Sequence, residues 1–197
     1  MEHRVSAVLL EAGSARRMGK LKQLLPFADR PVIRHCLDKI ISSGVDEIVV
    51  VLPENGSRIR DAIAGLPVTI TFNSDPESDM AGSVKTGLRA IGTSATGVLI
   101  CLADQPLVSE GTFGTLIASH RRSPEKIIVP TFGRKSGHPV LFPRNAIEEI
   151  YHSSTMREII LRDDKRVSYI DLLDEGVLFD MDTREDYRRM LERISHG

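Results

Sequence analysis

Short β-branched apolar runs alternate with helix-patterned segments along most of this 197-residue chain, and that alternation restricts the fold more than any other feature. Strands buried on both faces read as continuous apolar runs, and helical crossovers between them cover a parallel sheet on both sides. Strands are expected near Val5–Leu10, Glu47–Leu52, Val68–Phe72, Val98–Leu102, Lys126–Val129, Gly137–Phe142 and Val167–Leu172. Between them, Pro31–Ser43 carries Val32, Ile33, Cys36, Leu37, Ile40 and Ile41 at helical spacing and stops at Gly44. Thr183 is expected to cap a last helix running to about Ile194, with Glu185 and Asp186 in its first turn. Pro53–Ser57, Asn73–Asp79 and Ser123–Glu125 read as loops, and none has linker composition. The expected fold is a single α/β domain over residues 1–197, Rossmann-like, with a mostly parallel sheet and helices on both faces.

In such sheets ligands collect at the carboxyl ends of the strands. After the first strand comes Glu11-Ala12-Gly13-Ser14-Ala15-Arg16-Arg17-Met18-Gly19-Lys20-Leu21-Lys22. Gly13 and Gly19 permit backbone angles that turn successive N–H groups toward an anion, and Arg16, Arg17, Lys20 and Lys22 add full positive charge. A phosphate cradle is the expectation, with a nucleotide as its ligand. It is not a Walker loop, because Ser14-Ala15-Arg16-Arg17-Met18 separates the glycines and Leu21 follows Lys20 where Ser or Thr would bind metal. Nor is it a dinucleotide fingerprint, with Ala15 and Met18 at glycine positions.

The formal net charge of −1 and the absence of Trp argue against a general nucleic-acid binder, so the local cations point to a small anion. Cys36 and Cys101 lie inside apolar segments with no metal or disulfide spacing and read as buried thiols of a reducing cytoplasm. Met1–Arg4 leads straight into a strand, and no apolar run is long enough to span a bilayer.

Asp104 follows the apolar run 98–103 and is therefore fixed at a strand tip, a suitable place for a magnesium ligand, which needs only one or two carboxylates beside phosphate oxygens. Asp180 and Asp182 alternate as strand residues do, and either could complete such a site, although Asp182 also stands where it could cap the last helix. Asn73 follows the third strand, and Asp79–Gly87 looks like a loop entering a helix whose first turn offers free N–H groups and the Ser83 hydroxyl. Close packing of a helix thinned by Gly82 and Gly87 explains those glycines equally well. Gly133–Phe142 is a second basic, glycine-bracketed loop, in which His138 has no assignable nucleophile or carboxylate partner and reads as substrate-contacting or structural rather than catalytic.

Together these segments resemble the molybdenum-cofactor nucleotidyltransferases of the glycosyltransferase-A-like superfamily, the cytidylyltransferase branch more than the guanylyltransferase one. The resemblance rests on Ala12-Gly13-Ser14-x-Arg16-Arg17-Met18-Gly19-x-x-Lys22-x-Leu24-Leu25-Pro26, Gly82-Ser83-Val84-x-x-Gly87-Leu88, Asp104-Gln105-Pro106-Leu107, Gly137–Phe142 and Asp180–Asp186. It implies a nucleotide-diphospho-sugar transferase type of fold. It further implies CTP held by Ala12–Gly19, Lys22, Asn73, Gly82 and Ser83, with Mg2+ on Asp104 and Asp182. Lys22, Arg17 and Asp104 would be catalytic, and Ser83, Gly137 and His138 would meet molybdopterin. The implied reaction is attack by the terminal phosphate of molybdopterin on the α-phosphorus of CTP, with loss of pyrophosphate and later delivery to a molybdenum hydroxylase or dehydrogenase. A phosphate monoester with a second pKa of about 6 is already mostly dianionic at neutral pH, so no general base is required. A GTP- or sugar-phosphate-directed transferase, and a non-catalytic carrier of the cofactor, are the alternatives. Three positions depart from the family pattern. Glu11 stands where a small residue is usual, Ala103 where many relatives have Gly, and His152–Arg157 barely matches the Gly-Asp-x-Gly-Ala-Arg-like segment.

Overall fold

The computed structural model describes residues 3–11 and 21–195. In chain order the strands are β1 (Val5–Leu10), β2 (Pro26–Phe27), β3 (Arg30–Pro31), β4 (Glu47–Pro53), β5 (Thr69–Asn73), β6 (Gly97–Leu102), β7 (Ile127–Phe132), β8 (Lys135–Ser136), β9 (Val140–Pro143) and β10 (Val167–Asp171). The helices are α1 (Val32–Ser42), α2 (Ser57–Ala62), α3 (Met80–Ala90), α4 (Glu110–Arg122), α5 (Arg144–Ile147), α6 (Met156–Leu161) and α7 (Arg184–Ser195). The main sheet runs β10-β7-β9-β6-β1-β4-β5, with β8 paired to β7. β1 lies parallel between β4 and β6, with Leu10 opposite Val51 and Leu102.

Every residue of β1 and β6 is buried, which is why both read as largely apolar runs, broken only by Ser6. Successive side chains divide between two cores. Val8, Leu10, Val49 and Val51 meet Val84 and Leu88 of α3 on one face. Ala7, Leu9, Val50 and Leu52 meet Ile33, Leu37 and Ile40 of α1 and Leu116 of α4 on the other. The α/β architecture with helices on both faces is therefore as expected. Cys36 and Cys101 are buried, and burial pushes the Cys36 thiol up to about 12, so both are inert packing groups.

The structure corrects the expected strands in two places. β9 begins at Val140 rather than Gly137 and runs antiparallel to both β6 and β7. The chain reverses after β7 through Gly133 and Arg134, both with positive φ (54° and 65°), a two-residue hairpin turn that leads into β8. The second correction concerns Phe179–Asp182, which lies outside regular structure, so Asp180 and Asp182 are not strand neighbours. The expected cap of the last helix is present. Thr183 Oγ1 accepts from the Asp186 N–H at 3.1 Å, while the Asp186 carboxylate accepts from the Thr183 N–H at 2.9 Å. Because Thr183 does the capping, Asp182 is left for other work.

A third cluster, Phe27, Val32, Cys36, Met181 and Met190, seats α7 on α1 and pulls residue 181 inward. None of the described helices is long and apolar enough to cross a membrane.

Candidate active site

Because β1 and β6 are adjacent and parallel, the residues just beyond them, Glu11 and Asp104, open on the same edge of the sheet. Ala103 N–H donates to the Leu10 carbonyl at 2.9 Å, which carries the pairing one residue past β6 and holds Asp104 at the tip. Lys22 begins a short 3-10 turn, Lys22–Leu24, directly across from it. Its ammonium donates to Asp104 Oδ2 at 2.6 Å and to Asp182 Oδ1 at 3.0 Å. The three side chains expected to carry charge and metal therefore meet at one point. Their exposure differs: 8% for the Lys22 side chain, 5% for Asp104 and 50% for Asp182.

Burial alone would lower the pKa of Lys22, but the charges and hydrogen bonds of Asp104 and Asp182 outweigh it and hold the ammonium above the usual lysine range. The cation is permanent at neutral pH. Two of its three N–H donors are taken by the carboxylates among the described residues, which leaves one for a substrate oxygen. Glu11 lies beside this pair. Burial raises its pKa to about 7, against the pull of Lys22, so the carboxyl is only half ionised where a fully charged one would repel phosphate.

No cluster of three or more His, Cys, Asp or Glu suited to a metal occurs among the described residues. The Lys22 ammonium fills the gap between Asp104 and Asp182. Asp104 Oδ1, however, is buried and has no hydrogen-bond partner among the described residues, which fits a cation that takes one or two carboxylates and completes its shell with water and phosphate.

The segment carrying Asp182 is tied to the Asp104 turn twice. Met181 N–H donates to the Asp104 carbonyl at 3.1 Å, and Gln105 Nε2 donates to Asp180 Oδ1 at 2.6 Å. Lys39 reaches from α1 to the Pro106 carbonyl at 2.5 Å. Neither Gln105 nor Lys39 stood out in the sequence, although Gln105 lies inside the Asp104-Gln105-Pro106 motif, where a buried polar neighbour of the carboxylate was the available signal.

The other expected residues form separate groups. Asn73 Nδ2 donates to Ser78 Oγ at 2.8 Å and to Ser83 Oγ at 3.2 Å, so Asn73 and Ser83 meet at the start of α3. The first turn of α3 is less open than expected: Gly82 N–H is capped by the Asp79 carboxylate at 2.9 Å and Ser83 N–H donates to the Asp79 carbonyl at 3.2 Å. Gly87 is a packing residue, since a Cβ there would collide with Val8. Gly137 and His138 sit against the turn after Asp174, where His138 N–H donates to the Val177 carbonyl at 2.9 Å. Burial holds the His138 imidazole below the usual histidine range, against the charge of Asp180, so it is neutral at pH 7. The expected cradle, Ala12, Gly13, Ser14, Ala15, Arg16, Arg17, Met18 and Gly19, lies outside the described residues.

Residues 7–167 match the MobA-like NTP transferase domain. The chain is 31% identical to a nicotine blue oxidoreductase of Paenarthrobacter nicotinovorans, with 95% of this chain and 96% of that one aligned. It is 30% identical to a molybdenum cofactor guanylyltransferase of Shewanella woodyi, over 76% and 74% of the two chains. Among solved structures, Rv0371c from Mycobacterium tuberculosis superposes with a TM-score of 0.83 at 29% identity, covering 98% of this chain and 99% of that one. The same protein has also been solved as a manganese complex. A domain match over most of the chain, relatives aligned over 95% and 76% of it, and a lysine held between a strand-tip carboxylate and the carboxylate of Asp182 agree: the chain belongs to the MobA-like NTP transferase family and is a nucleotidyltransferase.

Proposed function

We propose that residues 1–197 act as one cytoplasmic nucleotidyltransferase domain that moves CMP from CTP to the terminal phosphate of molybdopterin, with Mg2+ and release of pyrophosphate. The observation that carries this reading is the buried Lys22 ammonium, bonded to Asp104 and Asp182 with one donor to spare among the described residues. Phosphoryl-type transfer depends mainly on positioning and on charge stabilisation, and both are available here. Lys22 would neutralise charge as pyrophosphate leaves, and Arg17 would add a second cation. Asp104, through its free Oδ1, and Asp182 would hold the magnesium, which supplies charge neutralisation on the triphosphate when bound. Asn73, Gly82 and Ser83 would contact the nucleotide, and Ser83 with Gly137 and His138 the acceptor. A neutral His138 agrees with a dianionic phosphate nucleophile that needs no base. The product would pass to a molybdenum hydroxylase or dehydrogenase.

The preference for CTP rests on the order and content of the sequence motifs. A guanylyltransferase relative supports GTP as the second reading. Pyrophosphate release is measured with each of the four NTPs, with and without molybdopterin and Mg2+, beside an arm that follows NADH oxidation, because one relative carries an oxidoreductase name. CTP-dependent release that needs molybdopterin and Mg2+ is expected. Release with GTP alone overturns the nucleotide assignment, and NADH oxidation without pyrophosphate under any pairing overturns the transferase reading.

A further inference from the structure

Asp182 meets Lys22 from a segment that has no regular structure of its own. Residues 179–182 lie between a short 3-10 turn, Glu175–Leu178, and α7, so neither helix nor sheet hydrogen bonds set the position of this carboxylate. Three consecutive residues are nevertheless directed to different places. Asp180 accepts from Gln105 Nε2 at 2.6 Å, Met181 is fully buried against Phe27, Val32 and Cys36, and Asp182 accepts from Lys22 at 3.0 Å. Gln105 is 5% exposed and follows Asp104 directly, so the Gln105–Asp180 contact joins the segment carrying Asp182 to the turn carrying Asp104.

We propose that Gln105 and Asp180 are positioning residues: their hydrogen bond, beside the Met181 amide on Asp104, sets where Asp182 meets Lys22 and so how the lysine shares its protons. A neutral amide suits the task. It donates to a carboxylate without adding a charge beside Lys22, and a charge-assisted bond of this kind is shorter and stronger than a neutral one. A lysine at 105 would compete with Lys22 for Asp182, and a glutamate would repel Asp180.

The test exchanges the donor and the acceptor. Asp180→Asn keeps an oxygen for Gln105 to bond and is expected to stay within about threefold of wild-type turnover. Gln105→Glu sets two carboxylates together and is expected to lose about a hundredfold, the scale of a 1 Å misplacement. In the double variant the new asparagine donates to the new glutamate, and most of that loss is recovered. The second readout needs no activity: the ammonium signal of Lys22, followed by NMR on lysine-labelled protein. It should move in Gln105→Glu toward its position in Asp182→Ala and return in the double variant, while melting temperatures report folding separately. A Lys22 signal unmoved by Gln105→Glu overturns the proposal, as does a double variant that is folded but recovers neither readout. The turnover arm rests on the transferase reading. If the wild-type protein releases no pyrophosphate, that reading fails and the NMR arm still decides this one.

Discussion

Removing Lys22 should cost stability and activity by different routes, and a double-mutant cycle with Asp104 separates them. Asp104 already has one buried oxygen without a partner among the described residues, and its other oxygen is bonded to Lys22. Lys22→Met therefore leaves a buried carboxylate with neither oxygen paired by a side chain, the situation that costs about 3–5 kcal/mol when one member of a buried pair is deleted. Asp182 is half exposed and regains water, so it adds little. At about 2–4 °C per kcal/mol for a chain of this size, the melting temperature should fall by roughly 6–20 °C at pH 7. Asp104→Asn leaves Lys22 bonded to Asp182 and should cost less, about 1–3 kcal/mol. The double variant buries no unpaired charge. It is expected to be at least about 2 kcal/mol more stable than the sum of the single losses, a coupling in the range seen for residues in direct contact. Activity should show no such recovery, because each single variant and the double all lack a charge stabiliser and fall by about 10²–10³. Urea unfolding gives the stabilities, and pyrophosphate release gives the rates. Additive stability losses would refute the buried-pair reasoning, and rates restored in the double variant would refute the catalytic one. The Lys22 pKa lies above its ordinary 10.5, so the lysine's own contribution is fully present below that value and is lost as pH rises through the folded-state pKa. Burial raises the Asp104 pKa above its ordinary 3.8, so the charge on that carboxylate works in the opposite direction and costs stability as pH rises through the acidic range.

Glu11 should give the protein an unusual alkaline weakness. Its pKa rises from 4.5 to about 7 on folding, so the folded state holds the proton more tightly and stability falls as pH climbs through that window, by about 3 kcal/mol at its end. Glu11→Gln should therefore raise the melting temperature at pH 8 and leave it unchanged at pH 4; parallel pH curves for the two proteins would rule this out. His120 acts in the opposite direction. Its ring is buried with neither nitrogen hydrogen-bonded among the described residues, and burial lowers its pKa, so the unfolded chain takes up the proton first and stability drops as pH falls below 6.5. His120→Phe should flatten the melting curve between pH 7 and 5, and an unchanged slope there would count against it. Gly137→Ala should lose about 1–3 kcal/mol, because its Cβ would collide with the Val177 carbonyl, whereas Gly114→Ala on the open face of α4 should gain about 0.5–1. Equal melting temperatures for these two alanine variants would show that the close approach at Gly137 is tolerated.

The fold was legible wherever burial writes directly into residue type. β1, β4 and β6 are mostly apolar because helices cover both faces of the sheet, and Thr183 with Asp186 announced the cap of α7. β9 was legible as a strand but not in its direction, because its place between β6 and β7 is a non-local pairing and the reversing turn at Gly133–Arg134 belongs to β8. Alternation misled at Asp180 and Asp182. The period of two reflects Met181 being drawn into the core between them, with its neighbours turned outward to Gln105 and Lys22.

The site shows the same division. Lys22, Asp104 and Asp182 could each be chosen for chemistry, but their partners lie 82 and 160 residues away, and no local pattern says that one ammonium joins both carboxylates. Long-range charge pairing follows from strand order, which brings Glu11 and Asp104 to the same edge, and from apolar packing, which presses residue 181 against α1. Glu11 shows the consequence most directly. In sequence it is an acid next to a phosphate loop and looks unfavourable. In the structure the same burial that makes β1 readable raises its pKa to about 7, so the backbone position that places it beside Lys22 and Asp104 also removes much of its charge.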